Sequence, residues 1–275
     1  MLVALRDYLA KAGQVAIAYS GGVDSTFLLA MSVDTLGADN VVAMTVQSPL
    51  TPPWETAFAD DFCRVRGIRY HTVDGSFILD DERIAANPPE RCYYCKKKIL
   101  AAIRRDIPSN NTLLTGTNAS DEEDIRPGMR AEEEMGVETP LRKFRFSKEM
   151  IREHSRDAAI PGFDRPPAAC FASRIPYGEP ITAGKVRMIE KAETFLRGLG
   201  FAVVRVRLIP PATASLEVAA EDITRACDLR KQISRDLKAI GFTRVSVDLG
   251  GYRQGSLNPE RANTAKEVGM KAEVK

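Results

Sequence analysis

The fold is decided by residues 15–25, VAIAYSGGVDS. This stretch begins with a short apolar run rich in strand-forming residues, continues through SGGVDS, and leads into TFLLAMSV, whose apolar residues recur at helical spacing. The order predicts a buried strand, a tight loop and a helix. At such a loop the backbone N–H groups and the helix dipole point at one place, which suits a phosphate or pyrophosphate group.

Further apolar runs follow this first unit. They predict strands at residues 40–46, 68–73 and 112–115, with helical stretches between them. Strands that alternate with helices indicate βαβ units, and therefore an α/β fold with a Rossmann-like parallel sheet and flanking helices. Ligand-binding loops belong at the carboxyl ends of such strands, where both SGGVDS and the polar GTNASDEEDIRPG of residues 116–128 are expected.

A proline-rich segment, residues 160–182, resists regular secondary structure, and we place the domain boundary within it. Residues 1–170 are predicted to form the nucleotide-binding domain. Residues 171–275 are predicted to form a smaller α/β domain, in which a helix precedes antiparallel strands at residues 201–208, at residues 215–219 and within residues 238–248.

Composition restricts the class of protein. Lysine and arginine number 39 against 37 aspartates and glutamates, a formal charge of +2, far from the basic excess of a dedicated nucleic-acid-binding protein. The N-terminal stretch carries charged residues within its apolar pattern, and no run approaches the ~18 apolar residues of a membrane span. We therefore expect a cytoplasmic protein that acts on a small molecule, without nucleic acid or membrane.

The five cysteines are an odd number in a chain that shows no secretory signal, which argues against a disulfide framework. Cys63 and Cys227 lie in helical apolar patterns and are expected to be buried, inert thiols. Cys92 and Cys95 are spaced i, i+3, so both can face one metal centre. Zinc would need a further ligand, and neither of the two histidines lies near a motif. A redox disulfide between Cys92 and Cys95 is a second alternative.

The SGGVDS loop, residues 20–25, supplies the groups that nucleotide phosphates need. Gly21 and Gly22 allow close approach of the backbone, Ser20 and Ser25 add hydroxyl groups, and Asp24 can hold Mg²⁺. A Walker-type P-loop would end in Gly-Lys-Ser/Thr, which differs from this string. The loop resembles the PP-loop of N-type ATP pyrophosphatases, and that resemblance implies adenylation of a substrate by ATP. A glycine-rich turn that only caps a helix is the alternative.

Longer segments resemble one PP-loop family, LarE. They are ERCYYCKKK (90–98), GTNASDEEDIRPG (116–128), ACFASRIPYG (169–178), GFAVVRVR (200–207) and VDLGGYRQGSLN (247–258), spread over nearly the whole chain. That family is the ATP-dependent pyridinium-3,5-biscarboxylic acid mononucleotide sulfurtransferase, which makes the thiocarboxylates of the nickel-pincer nucleotide used by lactate racemase. The resemblance implies the same activity and a small nucleotide substrate here.

The resemblance also implies roles for individual residues. ATP or AMP would bind at the SGGVDS loop and near Gly116, with Lys96 and Arg126 in contact with phosphates. Strand alternation puts Arg205 and Arg207 on one face about 7 Å apart, which suits a phosphate, and the resemblance assigns that face to the substrate. The implied substrate-binding residues are Arg174, Glu193, Arg205, Arg207 and Glu217. The alternative is a solvated strand face paired with Glu217 or Asp248.

Cys170 is implied to be the sulfur-handling residue. Some LarE members have only this cysteine and surrender its sulfur, which leaves dehydroalanine. This sequence departs from them, because Cys92, Cys95 and Cys170 match the three-cysteine pattern of other members and of related tRNA thiolases. In those proteins a 4Fe-4S cluster with one open iron carries the sulfide that is transferred. We predict the cluster, a sulfide donor as partner and a homo-oligomer, with sacrifice of Cys170 as the alternative.

Three other functions compete with this prediction. A PP-loop tRNA thiolase shares the loop and the three cysteines, but it fits poorly with the near-neutral charge. An ammonia-using synthetase such as NAD synthetase would account for the SGGVDS loop and the GTN segment. In such an enzyme, however, Cys92, Cys95 and Cys170 would have no function. A nucleotide-binding regulatory module would keep the loop without chemistry.

Overall fold

The computed structural model describes residues 1–123, 127–167 and 169–253. The chain forms two compact units, the N-terminal unit Met1–Cys170 and the C-terminal unit Phe171–Lys275. The strands of the N-terminal unit are β1 (Val15–Ala18), β2 (Val41–Gln47), β3 (Arg69–Asp74) and β4 (Thr112–Thr115). Its helices are α1 (Leu2–Ala12), α2 (Val23–Leu36), α3 (Pro53–Val65), α4 (Glu82–Ala85), α5 (Arg91–Asp106), α6 (Pro127–Glu134), α7 (Pro140–Lys143) and α8 (Lys148–Asp157).

The four strands form one sheet in the order β3-β2-β1-β4, and every neighbouring pair is parallel. In the register, Val15 of β1 lies opposite Val41 of β2 and Thr112 of β4. Parallel pairing brings the carboxyl ends of all four strands to the same edge of the sheet. The parallel α/β sheet predicted from the sequence is confirmed.

Both faces of this sheet are covered. Val15 and Ile17 point to one face and pack in a core with Phe27 of α2. Ala16 points to the other face and packs with Leu100 of α5. Successive strand residues alternate between the two faces of a sheet. A strand in a sheet that is covered on both sides therefore needs apolar residues at every position, and β1 has such a continuous apolar sequence. Each large apolar side chain buried in this way stabilises the fold by about 1.5–3 kcal/mol.

The C-terminal unit is built on a smaller sheet. Its strands are β5 (Val204–Ile209), β6 (Thr213–Val218) and β7 (Arg244–Val247), and its helices are α9 (Ala183–Gly198), α10 (Ile223–Asp228) and α11 (Arg230–Ile240). β5 pairs with β6 in antiparallel orientation, as expected. β7 is parallel to β6, so the prediction of antiparallel strands is wrong for this strand. Two helices connect β6 to β7, and a helical crossover permits a parallel return.

Within the ranges that the structure describes, none of the helices is at once long enough and apolar enough to span a bilayer. The longest helices, α5 and α9, each have 16 residues. Both are amphipathic, with one buried side and one charged side. Their buried sides cover the sheets of their own units, Leu100 and Ile103 in the case of α5 and Ile189 and Leu196 in the case of α9.

Candidate functional site

The SGGVDS loop lies at the amino end of α2 and is held by hydrogen bonds between its own residues. Gly22 caps the helix, and its carbonyl oxygen accepts hydrogen bonds from the hydroxyls of Ser25 at 3.0 Å and Thr26 at 2.9 Å. Ser20 Oγ accepts from the Gly22 N–H at 3.3 Å and lies 3.2 Å from Ser25 Oγ. The first N–H groups of a helix have no intrahelical partners. The loop therefore presents hydroxyls and free helix N–H groups at one point, as an anion site requires.

Two glycines make this packing possible. Gly21 has a φ of 74°, and a Cβ there would come within 2.8 Å of the Glu55 carbonyl oxygen. A Cβ on Gly116, the residue after β4, would come within 2.7 Å of the Ser25 nitrogen. Gly116, which was predicted to lie near the nucleotide, thus packs directly against the start of α2. The carboxyl ends of β1 and β4 are brought together at this point.

Asp24 lies in the first turn of α2 and is half-buried. The helix begins at Val23, so Asp24 belongs to the helix and not to the preceding loop. A carboxylate in the first turn of a helix is stabilised by about 0.3–1 kcal/mol through the helix dipole. It also lies beside the anion site, where a carboxylate can hold a Mg²⁺ ion against phosphate oxygens.

A cavity of about 500 Å³ lies at the carboxyl ends of β2 and β3. It is at the same edge of the sheet as the SGGVDS loop, since all strands of this sheet are parallel. The residues that line it are Gln47, Ser48, Pro49, Thr72, Val73, Asp74 and Ser76. In parallel α/β sheets this edge is where ligands bind, and the cavity offers room for a ligand beyond its phosphates.

Lys96 is connected to the loop that follows β4. Its Nζ lies 2.8 Å from Oε1 of Glu132, a carboxylate that is 1% exposed. The hydroxyl of Thr117 donates to both carboxylate oxygens of Glu132, at 2.9 and 2.8 Å. Glu132 was missed by the sequence interpretation, and it neutralises Lys96 in this structure. Arg126, the other predicted phosphate contact, lies outside the described residues.

Three of the cysteines lie near one another in the N-terminal unit. Cys92 lies in the first turn of α5 and Cys95 at the start of the second turn, and Cys92 and Cys170 are exposed. Burial raises the pKa of the Cys95 thiol to about 12, and the neighbouring Cys170 and Cys92 raise it further, while Arg91 and Lys96 oppose them. Cys95 therefore lies close enough to both other thiols for them to affect its pKa, and it is protonated at neutral pH unless a metal displaces its proton.

Arg91 contributes a second interaction at this cluster. Its Nη2 donates to Cys92 Sγ at 3.7 Å, and its Nη1 donates to the side chain of the buried Asn87. Among the residues that the structure describes, no three His, Cys, Asp or Glu side chains converge on a single metal ion. A mononuclear site such as zinc needs that convergence, whereas each cysteine of a 4Fe-4S cluster binds a different iron. The described residues therefore show no metal site at these cysteines, and the cluster rests on the three-cysteine pattern of the sequence alone.

The other two cysteines differ from each other. Cys63 is buried, as expected, and burial raises its pKa to about 12. Cys227 is exposed, so the prediction that it is buried is wrong. The apolar spacing around Cys227 belongs to its neighbour Ala226, which is the buried residue of α10.

The predicted substrate residues of the C-terminal unit form one buried cluster. Arg174 donates through Nε and Nη2 to the two oxygens of Glu193 at 2.8 and 2.9 Å, and Arg207 donates in the same way to Glu217 at 2.9 and 2.8 Å. These are two bidentate pairs, the strongest form of this interaction. The exposed fractions are 1% for Arg174, 0% for Glu193, 4% for Arg205, 9% for Arg207 and 5% for Glu217.

The face of β5 that carries Arg205 and Arg207 is therefore buried and not exposed to solvent. Arg207 does pair with Glu217, but both side chains are buried; Asp248 instead accepts from the backbone N–H of Gly250 at 2.7 Å. Desolvation lowers the pKa of Arg205, and the nearby Arg174 lowers it further. Three guanidinium groups against two carboxylates leave one net positive charge among these five side chains.

Comparison with known proteins gives relatives of nearly full length. An uncharacterised protein of Synechocystis sp. is 34% identical over 258 residues, which are 92% of this chain and 95% of that protein. The pyridinium-3,5-bisthiocarboxylic acid mononucleotide synthase of Lactiplantibacillus plantarum is 33% identical over 263 residues, 94% of this chain and 92% of the synthase. Both alignments extend through the N-terminal and C-terminal units.

The first part of the chain has a wider set of relatives. The NAD synthase family profile matches residues 1–86, which contain the SGGVDS loop. A glutamine-dependent NAD(+) synthetase of Xanthomonas campestris pv. campestris is 41% identical over 71 residues, which are 25% of this chain and 13% of the synthetase. The NAD synthase family match covers the PP-loop region, whereas the synthase from L. plantarum is similar along nearly the whole chain. The chain therefore belongs to the LarE-like family, built on an NAD synthase-like PP-loop domain.

Proposed function

We propose that this protein uses ATP to adenylate a carboxylate of pyridinium-3,5-biscarboxylic acid mononucleotide and then converts that carboxylate to a thiocarboxylate. The observation that carries the proposal is the 33% identity to the L. plantarum synthase over 94% of this chain. The geometry supports it independently, since an anion-binding loop and a group of three thiols occur in the N-terminal unit and a buried cationic cluster occurs in the C-terminal unit.

The SGGVDS loop would bind the phosphates of ATP through its N–H groups and the hydroxyls of Ser20 and Ser25. Asp24 would hold Mg²⁺, which supplies charge neutralisation for the departing pyrophosphate. A carboxylate oxygen of the substrate attacks the α-phosphorus, and the bond to pyrophosphate breaks. Sulfide then attacks the acyl carbon, and AMP leaves with the electron pair of the broken C–O bond. Two carboxylates need two such rounds.

Cys92, Cys95 and Cys170 would hold a 4Fe-4S cluster. When bound, the cluster would supply an iron without a protein ligand, at which sulfide from a donor can be activated. Cys92 and Cys170 are exposed, so a donor could reach this part of the unit, and Cys95 lies at the start of the second turn of α5. The competing chemistry is sacrifice of the Cys170 sulfur, which needs neither Cys92 nor Cys95.

The assay that tests this function offers one enzyme preparation three substrate sets. With Mg-ATP, sulfide and the pyridinium mononucleotide, we expect AMP, pyrophosphate and a product in which sulfur replaces an oxygen, detected by mass spectrometry. With deamido-NAD and ammonia, or with unmodified tRNA, we expect no product. Formation of NAD would instead support ammonia-dependent NAD synthesis. This is the second candidate function, and the observation in its favour is the match of the NAD synthase family to residues 1–86. Thiolated tRNA would point to a thiolase.

The buried cluster of the C-terminal unit gives a prediction for substrate affinity. Arg205→Gln is expected to raise the KM for the mononucleotide by about 10- to 100-fold, the usual loss for one hydrogen bond to a charged group. The KM for ATP is expected to change little, because the ATP loop belongs to the N-terminal unit. Arg244→Gln on the exposed side of β7 is the charge-matched control. Equal effects of Arg205→Gln on both KM values would contradict a role in binding the mononucleotide.

A further inference from the structure

Arg165 contacts the SGGVDS loop from a distant part of the chain. Its Nη1 donates to the carbonyl oxygen of Gly21 at 3.0 Å, and its Nη2 donates to Oε2 of Glu55 in α3 at 2.8 Å. The guanidinium carbon lies 3.9 Å from the centre of the Phe58 ring. Arg165 precedes Cys170 by five residues in the proline-rich segment. One side chain thus contacts the ATP loop from within the segment that leads to the sulfur-handling cysteine.

The backbone around Arg165 is itself held in place. Arg152 of α8 donates to the carbonyl oxygens of Phe163 and of Arg165, the latter at 3.0 Å. The Arg165 N–H donates to the Gly162 carbonyl at 3.1 Å, which closes a turn. Gly162 has a φ of 84°, and a Cβ there would lie 2.7 Å from Phe58 Cζ. The turn at 162–165 is therefore packed on α3, beside the loop that Arg165 contacts.

The contact with Gly21 fixes the direction of one peptide group. A trans peptide is planar, so the carbonyl of Gly21 and the N–H of Gly22 point in opposite directions. With the carbonyl held by Arg165, the Gly22 N–H points into the loop, where it donates to Ser20 Oγ at 3.3 Å. Glycine pairs allow such a peptide to flip at low cost. A flip would turn a carbonyl oxygen toward the anion site and repel a phosphate.

We propose that Arg165 is a positioning residue that couples the ATP loop to Cys170. It holds the Gly21–Gly22 peptide in the orientation that binds phosphate, and it fastens the segment before Cys170 to the same loop. Five residues span at most roughly 18 Å, so the position of Cys170 is limited by this attachment. Ordering of the loop by Mg-ATP then reduces the motion of Cys170. The inference rests on the proposed function, since it takes ATP as the ligand of the loop.

The test measures two properties of full-length protein freed of metal, in wild-type, Arg165→Gln and Arg165→Lys forms. The first is the affinity for Mg-ATP by calorimetry, and the second is the rate at which iodoacetamide modifies Cys170, followed by peptide mass spectrometry with and without Mg-ATP. Cys227, which is exposed in the C-terminal unit, is the internal reference. Arg156→Gln on the exposed part of α8 is the charge-matched control.

In wild-type protein and in Arg156→Gln, Mg-ATP is expected to slow the modification of Cys170 severalfold. Arg165→Gln should bind Mg-ATP about 10-fold more weakly or worse, and Mg-ATP at saturating concentration should no longer protect Cys170. Arg165→Lys should fall between the two, because one ammonium group cannot bridge both acceptors as the guanidinium fork does. If Arg165→Gln does not fold, the same two measurements on Arg165→Lys test the proposal.

Two results would overturn the inference and leave the proposed function in place. One is wild-type affinity for Mg-ATP in both Arg165 variants, and the other is equal modification of Cys170 with and without Mg-ATP in wild-type protein that binds the nucleotide. Failure of wild-type protein to bind Mg-ATP would overturn the proposed function first, and the inference with it. The binding measurement therefore separates the two failures.

Discussion

Asp24→Asn is expected to abolish pyrophosphate release while the protein stays folded. The substitution removes the carboxylate that would hold Mg²⁺ beside the SGGVDS loop, and the amide that replaces it is a far weaker ligand for a hard cation. Loss of the metal's charge neutralisation costs several kcal/mol in the transition state, so kcat should fall by at least about 100-fold. The measurement is a continuous pyrophosphate assay with the pyridinium mononucleotide as substrate.

The stability change should be small by comparison. Asp24 lies in the first turn of α2, where a negative charge contributes only about 0.3–1 kcal/mol. Asp34→Asn is the matched control, because the exposed Asp34 is the same residue type at the opposite end of the same helix. Asp34→Asn should keep the wild-type rate. A wild-type rate in folded Asp24→Asn would contradict the role that we assign to this loop.

The sheet of the N-terminal unit could be predicted closely from the sequence. The strands predicted at 40–46 and 68–73 are found at Val41–Gln47 and Arg69–Asp74, and the strand predicted at 112–115 is found at Thr112–Thr115. β1 and β2 are buried and read as continuous apolar runs, whereas β3 is a largely exposed edge strand of the sheet. The direction in which β7 pairs was harder to predict, since its half-exposed pattern fits parallel and antiparallel pairing equally well.

The side-chain contacts of the site could not be predicted in the same way. Arg165 and Gly21 are 144 residues apart, and no periodicity relates an arginine in a proline-rich segment to a particular carbonyl group. Glu132 reads as one charge in the acidic stretch AEEE, although it is the buried partner of Lys96. Such contacts depend on how loops are packed together, which the local pattern of a sequence does not encode.

The alternation in VRVR predicted that Arg205 and Arg207 share a face, but it carried no information about what covers that face. In the structure both side chains are buried, and Arg207 reaches diagonally to Glu217, which in the register lies opposite Arg205. Arg207 also donates to the backbone oxygen of Ser173, in the short helical turn Phe171–Arg174. The sequence of that turn reads as an irregular loop, so its position over the strand had no visible signal.

Cys92→Ser is expected to eliminate iron binding and sulfur transfer together. In the proposed cluster each of Cys92, Cys95 and Cys170 binds one iron, so loss of one thiolate leaves two irons without protein ligands. Wild-type protein reconstituted anaerobically with iron and sulfide should turn over repeatedly when sulfide is supplied. Iron content, the visible absorption spectrum and the amount of thiocarboxylate formed per protein chain measure these effects. Cys227→Ser, which changes an exposed thiol of the other unit, should leave all three unchanged.

The alternative, sacrifice of Cys170, predicts a different set of results. Cys92→Ser would then keep its single turnover, because the sulfur comes from Cys170 alone. Wild-type protein would stop after one turnover and lose about 34 Da, the mass of H₂S, as Cys170 becomes dehydroalanine. We propose the cluster over sacrifice because Cys92 and Cys95 accompany Cys170 in this sequence, and sacrifice of Cys170 would give these two thiols no function. A 34 Da loss at Cys170 in iron-reconstituted protein would prove the cluster proposal wrong.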